Sequence, residues 1–262
     1  DRIFDNPSLY SGVENLLGAY GYAMQIYCDF SGYSDMAIGI ALLLGFRFPM
    51  NFNAPYTSRS ITEFWRRWHI SLSSWIRDYI YISLGGNRKG RVRQYVNLII
   101  TMLLGGLWHG ASLNFVAWGG MHGVALAVHK WTREHIFHHD KHYQSQGLRC
   151  WGAVLLTFHF VVFCWIFFRN HTFAASWTMI SKICTDFHPE LFLQVVSGYW
   201  EVFALILFGY VSHFVPDSWC DRFVSLIRRG GVLLAAVLIA AVIYIVIQVK
   251  SSEIQPFIYF QF

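Results

Sequence analysis

Residues 94–110 read QYVNLIITMLLGGLWHG, a short apolar run that ends in two glycines, a tryptophan, a histidine and a further glycine. At 1.5 Å per residue, the helix predicted from Gln94 to Trp108 is roughly 22 Å long, whereas the hydrocarbon core of a bilayer is about 30 Å thick. We therefore expect His109 to lie within the membrane rather than beyond it. Ionisable side chains are costly at that depth and usually belong to a site that uses them. The sequence thus places a candidate site around His109.

Two apolar runs precede this helix, and each is too short to cross a membrane at right angles. Residues 16–30 and 34–48 are each about 15 residues long, and a perpendicular span needs about 20. Gly32 lies between the runs, with Asp29 and Asp35 on either side of it. The pattern predicts two half-length helices around a polar break, either as a re-entrant pair or as two tilted spans. The two aspartates are expected to cap these helices or to line a path, with capping preferred.

The segment from Ser60 to about Ile82 is amphipathic and predicts one helix, because Ser60 and Glu63 match a capping box. This helix is too charged to cross lipid alone and is expected to lie in the interface or inside the protein. Arginine suits phosphates through its planar array of donors, so the segment is a candidate site for a phosphate-bearing thiol carrier. A charged stripe facing solvent or lipid headgroups explains the pattern equally well. The candidate residues are Trp65, Arg66, Arg67, Arg77 and Asp78.

Further apolar runs predict membrane-spanning helices at 112–130, 150–168, 200–215 and 231–249. The mixed segment 170–198 and the aromatic tail 256–262 are expected to lie in the interface. The predicted fold is all-α, a polytopic transmembrane helical protein with re-entrant or interfacial helices, and residues 1–262 are expected to form a single membrane domain. Lys and Arg concentrate in the loops 85–93, 130–149 and 216–230 rather than in 169–199 and 250–262. If each later span crosses once, the positive-inside rule assigns the first three loops to the cytoplasmic side.

The composition excludes several classes of protein. The 262 residues are 55% hydrophobic, 18% aromatic and 13% charged, whereas soluble domains carry about 25% charged residues. The net charge of +5 agrees with the basic loops of a membrane protein. No basic cluster interleaves with exposed aromatics, so no nucleic-acid partner is expected. The five cysteines are scattered without a CxxC pair, which argues against a disulfide framework and against a structural zinc site.

A group of four histidines follows helical spacing in the loop after the fourth apolar run. One helix face would hold all four, and such spacing can bind zinc. A solvated histidine-rich loop is the preferred interpretation, so no metal site and no bound cofactor are predicted. The four residues are His135, His138, His139 and His142.

His109 is the leading candidate for a catalytic group, since a neutral imidazole suits general-base chemistry near neutral pH. Small neighbours are expected to let a substrate approach it, with Trp108 lining the path. A buried histidine bonded to a backbone carbonyl is an equal alternative. His69 could face the same cavity, although an interfacial histidine among tryptophans is favoured on the residues alone. His122 could orient a substrate or simply pack between helices, because it has small neighbours at Gly119, Gly120 and Gly123.

Several segments together resemble the membrane-bound O-acyltransferase (MBOAT) superfamily, and most of all its bacterial alginate O-acetyltransferase branch, the AlgI type. Their order along the chain also agrees, and the resemblance covers essentially the whole sequence. The residues that carry it are Cys28–Asp35, Arg59–Ser73, Arg77–Tyr81, Gly85–Arg88, Trp108–Gly110 and Phe257–Phe262.

The resemblance implies a multi-pass enzyme of the bacterial cytoplasmic (inner) membrane, with a tunnel through a thinned centre. An acyl thioester donor, acetyl-CoA or an acyl-carrier thioester, would enter from the cytoplasmic side. The acyl group would reach a polysaccharide acceptor outside, often through a periplasmic or extracellular acetyltransferase partner. The essential histidine of the superfamily matches His109, and the second histidine of this branch matches His69. Members of the family are longer than this chain, so further spans are expected before Asp1.

Two alternatives remain open at this point. The motifs do not separate the alginate branch sharply from relatives that acetylate peptidoglycan or cellulose or that pass D-alanine to teichoic acid. A transporter or channel with a broken helix and an intramembrane histidine would also explain the basic loops and the buried imidazoles. That alternative does not explain the helix dense in tryptophan and arginine beside the site.

Overall fold

The computed structural model describes residues 2–137 and 147–249 of the chain. Every regular element assigned in these ranges is a helix, so the predicted all-α class is confirmed. The chain divides into two compact units, Asp1–His213 and Phe214–Phe262. The predicted aromatic tail at 256–262 lies outside the described residues.

The helices of the first unit are α1 (Arg2–Asp5), α2 (Gly12–Leu43), α3 (Ile61–Arg67), α4 (Ile70–Ile76), α5 (Arg91–His109), α6 (Leu113–His135), α7 (Leu148–Arg169), α8 (Phe173–Thr185), α9 (Leu191–Gly198) and α10 (Trp200–Ser212). Two 3₁₀ helices, Pro7–Leu9 and Pro55–Thr57, and a π-helix, Arg77–Tyr81, lie between them. The second unit contains α11 (Asp217–Val249), which bends at Gly231, where φ is 64°.

The helix α2 is continuous, so the predicted polar break around Gly32 is wrong. The helix begins with a capping box in which the Ser11 Oγ accepts a hydrogen bond from the Glu14 N–H, while the Glu14 carboxylate accepts one from the Ser11 N–H. A single glycine in a helix costs only about 1 kcal/mol relative to alanine. The buried face continues across Gly32 from Phe30 to Ser34, one turn apart. Burial on both sides of the glycine therefore keeps the helix intact.

The predicted helix from Ser60 to Ile82 is also wrong as a single element, because it breaks at His69. His69 has a left-handed backbone with φ 44°, which ends α3 and begins α4. The backbone on both sides of the break bonds to an earlier loop. The Ile70 N–H donates to the carbonyl of Asn51, and the Asn53 N–H donates to the carbonyl of Arg67. These long-range bonds replace the helical bonds that an uninterrupted helix would make.

The capping of α3 is confirmed in part. The Ser60 Oγ accepts a hydrogen bond from the Glu63 N–H at 3.2 Å, as a helix N-cap does. The reciprocal bond of a capping box is shifted by one residue, since the Glu63 carboxylate accepts from the N–H of Arg59 rather than from that of Ser60. The first turn of α3 is thus held from both sides of Ser60.

The helices α5 and α6 form an antiparallel hairpin that packs backbone against backbone. A Cβ built at Gly106 would overlap the carbonyl oxygen of Phe115, and one built at Gly119 would overlap the carbonyl oxygen of Met102. Glycine at these positions therefore lets the two helices approach closely, as small residues do in membrane helix pairs. The hairpin fixes the position of the Trp108–Gly110 segment at its turn.

Among the described residues, two helices are long and apolar enough to cross a membrane, Leu148–Arg169 and Ser218–Ile247. A third would be counted if α9 and α10, which meet at 91°, formed one broken span. The predicted span 112–130 lies in α6, which is outside this set. That helix carries polar side chains, Asn114 and His122, on its buried face, whereas Leu113, Val124 and Val128 are exposed.

The loop between α8 and α9 covers the N-terminus of α2. The carbonyl oxygens of Asp186 and Phe187 accept hydrogen bonds from the backbone N–H groups of Gly12 and Val13. These donors belong to the first turn of α2, whose N–H groups have no partner within the helix. The conformation of the loop therefore contributes to the stability of α2.

His188 in this loop should make that stability depend on pH. Its ring nitrogens contact the carboxylates of Glu190 at 2.7 Å and Asp186 at 2.8 Å, which raise the pKa of His188 above its ordinary value of 6.5. Lys182 contacts Asp186 as well. A group whose pKa is higher in the folded state contributes stability that is fully present below its unfolded-state pKa. That stability is lost as the pH rises through the folded-state pKa.

We expect the melting temperature of the solubilised protein to exceed that of a His188→Gln variant at pH values below 6.5, and the two to converge in alkaline buffer. High salt should reduce the difference, because the cluster is exposed and screened. A difference that stays constant across the titration would contradict this expectation.

Candidate functional site

The ring of His109 lies at the C-terminal end of α5, within a set of aromatic side chains. Its centroid lies 5.0 Å from that of Trp108, 5.3 Å from Trp118, 5.0 Å from Phe168 and 6.1 Å from Phe115. These rings come from α5, α6 and α7, and His109 itself is half-buried. The predicted position of His109 at the end of a short apolar helix is therefore correct. We call this set, with His109 at its centre, the aromatic box.

The glycines beside His109 allow close packing of the protein and do not leave an open space for a substrate, contrary to the expectation from the sequence. A Cβ at Gly110 would lie 2.6 Å from the ring of Phe115, and Gly106 contacts the backbone of α6. The volume that the small residues leave is thus occupied by the protein itself. Access to the imidazole depends on its aromatic neighbours instead.

His69 is held at the helix break by Asn51, a residue that the sequence analysis did not single out. The Asn51 Oδ1 lies 3.2 Å from the His69 Nδ1 and also accepts hydrogen bonds from the N–H and the hydroxyl of Ser71. A backbone N–H can only donate, so the atom of Asn51 at this position is its oxygen. The Nδ1 of His69 therefore carries a proton, and in the neutral ring its Nε2 carries the lone pair.

The two histidines lie in one neighbourhood, close enough for a charge on one to act on the other. The ring of His69 packs edge-on against Phe30 of α2, with centroids 4.6 Å apart, and it also contacts Phe52. The structure thus brings together the two histidines that the sequence had placed 40 residues apart. Asn51, which fixes His69, lies in the loop after α2. The available signal in the sequence was a polar residue placed directly between two apolar neighbours, Met50 and Phe52.

His122 is fully buried, with a relative exposure of 0%. Its Nδ1 accepts a hydrogen bond from the indole N–H of Trp65 at 3.3 Å. Its ring packs against Phe64, Trp65, Trp118 and Phe160. Of the two interpretations left open by the sequence, the structure places His122 in a helix interface.

A cavity of about 710 Å³ lies between the segment from α3 to the π-helix and the hairpin of α5 and α6. Its charged lining is basic, and none of the described residues that line it is acidic. Its apolar lining includes Leu98, Met102 and Leu126. We call it the basic cavity, since its titratable nitrogen groups come from Arg66, Arg77, His129, Lys130 and Arg133.

The predicted arginine candidates fall into two groups. Arg66 and Arg77 line the basic cavity. Arg67 pairs with Glu63 at 2.8 Å and donates to the carbonyl of Asn53, so its contacts are structural. Asp78 is exposed and hydrogen-bonded by Arg77, which holds the pKa of its carboxyl below the usual value.

The other three candidates from the sequence are Asp29, Asp35 and Trp108. Asp29 and Asp35 lie inside the continuous helix α2, half-buried and exposed respectively. Neither caps a helix end, so the preferred capping role is wrong. Trp108 contacts His109 by its ring but is 57% exposed.

Lys130 and Arg133 line the basic cavity although the sequence analysis did not propose them.

Within the described part of the chain, no group of three or more His, Cys, Asp or Glu side chains is arranged to hold a metal ion. Of the four histidines with helical spacing, His135 belongs to the end of α6, where its Nδ1 contacts the carbonyl of Trp131. His138, His139 and His142 lie outside the described residues.

Comparison with known proteins connects this geometry to a family. Residues 16–136 match the model of MBOAT, the membrane-bound O-acyltransferase family. This part of the chain belongs to the MBOAT family. The MBOAT segment contains His69, His109 and His122 together with all the residues that line the basic cavity. The chain is accordingly a membrane protein, in agreement with its apolar helices.

Several curated proteins are similar to the chain. A protein named "Probable alginate O-acetylase AlgI" from Pseudomonas syringae pv. tomato is 56% identical over 154 residues, which are 59% of this chain and 28% of that protein. Its namesake in Pseudomonas aeruginosa is 51% identical over 169 residues, 62% of this chain and 30% of that protein. The chain thus spans about a third or less of the length of these relatives.

A further relative acts on a different polymer according to its name. The peptidoglycan O-acetyltransferase of Helicobacter pylori is 43% identical over 169 residues, which are 63% of this chain and 31% of that protein. Similarity therefore extends across acceptor polymers, while O-acetyl transfer is common to the names of this relative and the alginate ones.

Proposed function

We propose that the protein is a membrane O-acetyltransferase that takes an acetyl group from a cytoplasmic thioester donor for the O-acetylation of an exopolysaccharide such as alginate. The observation that carries the proposal is the placement of His109 and His69 in one neighbourhood within a segment of the MBOAT family. The names of relatives that are more than half identical to the matched region support the acetyl group and the alginate acceptor.

In the proposed reaction His109 acts as the general base. It removes the proton from an acceptor hydroxyl, whose oxygen attacks the thioester carbonyl. A carbon–oxygen bond forms, the carbon–sulfur bond breaks, and the proton passes from His109 to the departing thiolate. His69 positions the reacting groups, since its Nδ1 is bound to Asn51 and the lone pair on Nε2 can accept a hydrogen bond. No covalent acyl-enzyme is required.

The basic cavity is the proposed entry for the donor. It extends along α5 from Gln94 to Met102. Gln94 is 15 residues before His109, which is roughly 22 Å along the helix axis. Lys130 and Arg133 lie at the Gln94 end, because α6 runs antiparallel to α5. A donor with phosphate at these cations needs a long arm to reach His109, which favours a coenzyme A or carrier-bound thioester over a small acyl phosphate.

The proposed setting is the cytoplasmic (inner) membrane of a bacterium. The basic residues near the cavity and in the loop before α5 are typical of the cytoplasmic side. The acceptor hydroxyl would belong to a periplasmic or extracellular acetyltransferase partner on the opposite side, which then passes the acetyl group to the polysaccharide. Peptidoglycan is the second acceptor considered, because the Helicobacter pylori relative is named for it.

Deletion of the chromosomal gene tests this function. The O-acetyl content of the secreted exopolysaccharide should fall to background and return when the gene is restored, while that of peptidoglycan stays unchanged. Loss of peptidoglycan acetylation alone would transfer the proposal to that polymer. Unchanged acetylation of both polymers would contradict the O-acetyltransferase assignment.

We expect Arg66→Gln and Arg133→Gln to weaken donor binding. Each removes a charge-assisted contact to phosphate, and contacts of that kind contribute about 1.5–3 kcal/mol, so KM for the donor should rise about 10-fold or more with little change in kcat. The measurement is transfer from labelled acetyl-coenzyme A in inverted membrane vesicles. Arg93→Gln is the matched control, because Arg93 is exposed on α5 and does not line the cavity. Equal KM values in all variants would contradict this role of the cavity.

A further inference from the structure

A pair formed by the buried His122 and the half-buried Trp65 lies between the basic cavity and the aromatic box. The indole N–H of Trp65 can only donate, so the Nδ1 of His122, 3.3 Å away, is the acceptor and carries no proton. His122 is therefore a neutral imidazole with its proton on Nε2. That Nε2 is buried and has no hydrogen-bond partner among the described residues.

Burying His122 with its Nε2 unpartnered costs more free energy than filling the same space between the helices requires. A buried donor without a partner costs about 1–3 kcal/mol, whereas an apolar side chain of similar size would fill the same space without that cost. What the imidazole adds to the interface is the acceptor for Trp65. The pairing thus points to a need to hold the Trp65 indole in one orientation.

Trp65 connects the two parts of the proposed site. Its side chain lines the basic cavity, and its ring packs edge-on against Trp118 with centroids 5.7 Å apart. Trp118 in turn packs edge-on against His109 at 5.3 Å. The imidazole of His122 contacts both indoles, at 5.2 Å and 4.9 Å. His109 does not itself line the cavity, so Trp65 and Trp118 lie between the cavity and the base.

We propose that His122 is a positioning residue that fixes the Trp65 indole as the inner wall of the basic cavity. In that orientation the wall directs the acyl end of the donor toward His109. This inference rests on the proposed function, because it assumes that the cavity admits the donor. His122 itself touches neither the donor nor the reacting atoms.

Three variants separate positioning from packing. His122→Leu removes the acceptor and keeps the bulk, whereas His122→Asn keeps an acceptor near the position of Nδ1. Trp65→Phe removes the donor from the other side of the pair. A misplacement of about 1 Å near the chemistry can cost about 100-fold in rate. We expect His122→Leu and Trp65→Phe to lower kcat about 10- to 100-fold, and His122→Asn to recover most of the loss.

The rates are measured as labelled acetyl transfer in membrane vesicles, normalised to the amount of protein in the membrane. The double variant Trp65→Phe/His122→Leu should be no slower than the slower single variant, because both remove the same hydrogen bond. His213→Leu is the control, since His213 is also buried but packs against Tyr27 and Tyr56. It should lower the melting temperature with kcat within about 3-fold of the wild type.

A spectroscopic measurement tests the pair independently of activity. In ¹⁵N-histidine-labelled protein, His122 should show an unprotonated Nδ1 and a protonated Nε2, and Trp65→Phe should shift the Nδ1 resonance. A protonated Nδ1, wild-type kcat in His122→Leu, or multiplied losses in the double variant would each overturn the inference. Inactive wild-type vesicles together with the expected resonances would instead contradict the proposed function.

Discussion

Replacement of His109 by alanine in the chromosomal gene is expected to lower acetyl transfer about 10²- to 10⁴-fold, the usual effect of losing a positioned general base. The imidazole stands at the end of α5 among Trp108, Trp118 and Phe168. No neighbouring ring in this set can accept a proton from a hydroxyl. The rate of labelled acetate incorporation into the exopolysaccharide, normalised to the amount of protein, is the measurement.

A second substitution and a matched control make the His109 result specific. His109→Gln keeps polar atoms of similar size but cannot serve as a base, so it should be as impaired as the alanine variant. His159→Ala is the control, because His159 is an exposed histidine of α7 outside the site. Retained acetylation in the His109 variants would remove this residue from the mechanism, and an equal loss in the control would point to a general effect on the protein.

Gly119→Ala is expected to separate α5 from α6 and to lower both stability and activity. The new Cβ would overlap the Met102 carbonyl oxygen and lie 3.3 Å from the Cα of Gly106. Both neighbours are backbone atoms, so no side-chain rotation relieves the contact. Overpacking of this kind costs typically about 1–3 kcal/mol, and the loss of register around His109 should lower the rate by about 10-fold or more.

Gly120→Ala is the matched control for Gly119→Ala, since it changes the next residue of the same helix. Its Cβ would lie 3.5 Å from the Leu103 Cδ2, an ordinary contact, and alanine in a helix interior is favoured over glycine by about 0.5–1 kcal/mol. The melting temperature of the solubilised protein should fall for Gly119→Ala and stay level or rise for Gly120→Ala. Equal melting temperatures would mean that α5 and α6 tolerate a wider separation.

The sequence indicated the class of protein and the location of the leading catalytic candidate. The chain is rich in apolar and aromatic residues and has a lower fraction of charged residues than soluble domains. Its composition therefore predicts a membrane protein. The length of the apolar run before His109, compared with bilayer thickness, predicts an imidazole at membrane depth. The motifs around Arg59–Ser73 and Trp108–Gly110 indicated the family. These properties are encoded in consecutive residues, and a reading of the chain can recover them.

The set of cationic side chains that line the basic cavity could not be predicted from consecutive residues. Arg66 belongs to α3, whereas Lys130 and Arg133 belong to the end of α6, more than 60 residues later. Only the packing of the α5–α6 hairpin against α3 and α4 brings these side chains to one space. Similarly, Arg67 looked equivalent to Arg66 in the sequence, but it does not line the cavity and instead contacts Glu63 and Asn53.

The sequence by itself determined a helical membrane protein with a histidine at the end of a short apolar helix, because composition and periodicity are local properties of the chain. The tertiary structure decided that α2 continues through Gly32, that the chain turns at His69, and that His122 accepts a hydrogen bond from Trp65. Each of these depends on partners distant in sequence, such as the bonds from Asn51 to residues after the break. Local propensity is weak enough that a few buried contacts or long-range hydrogen bonds override it.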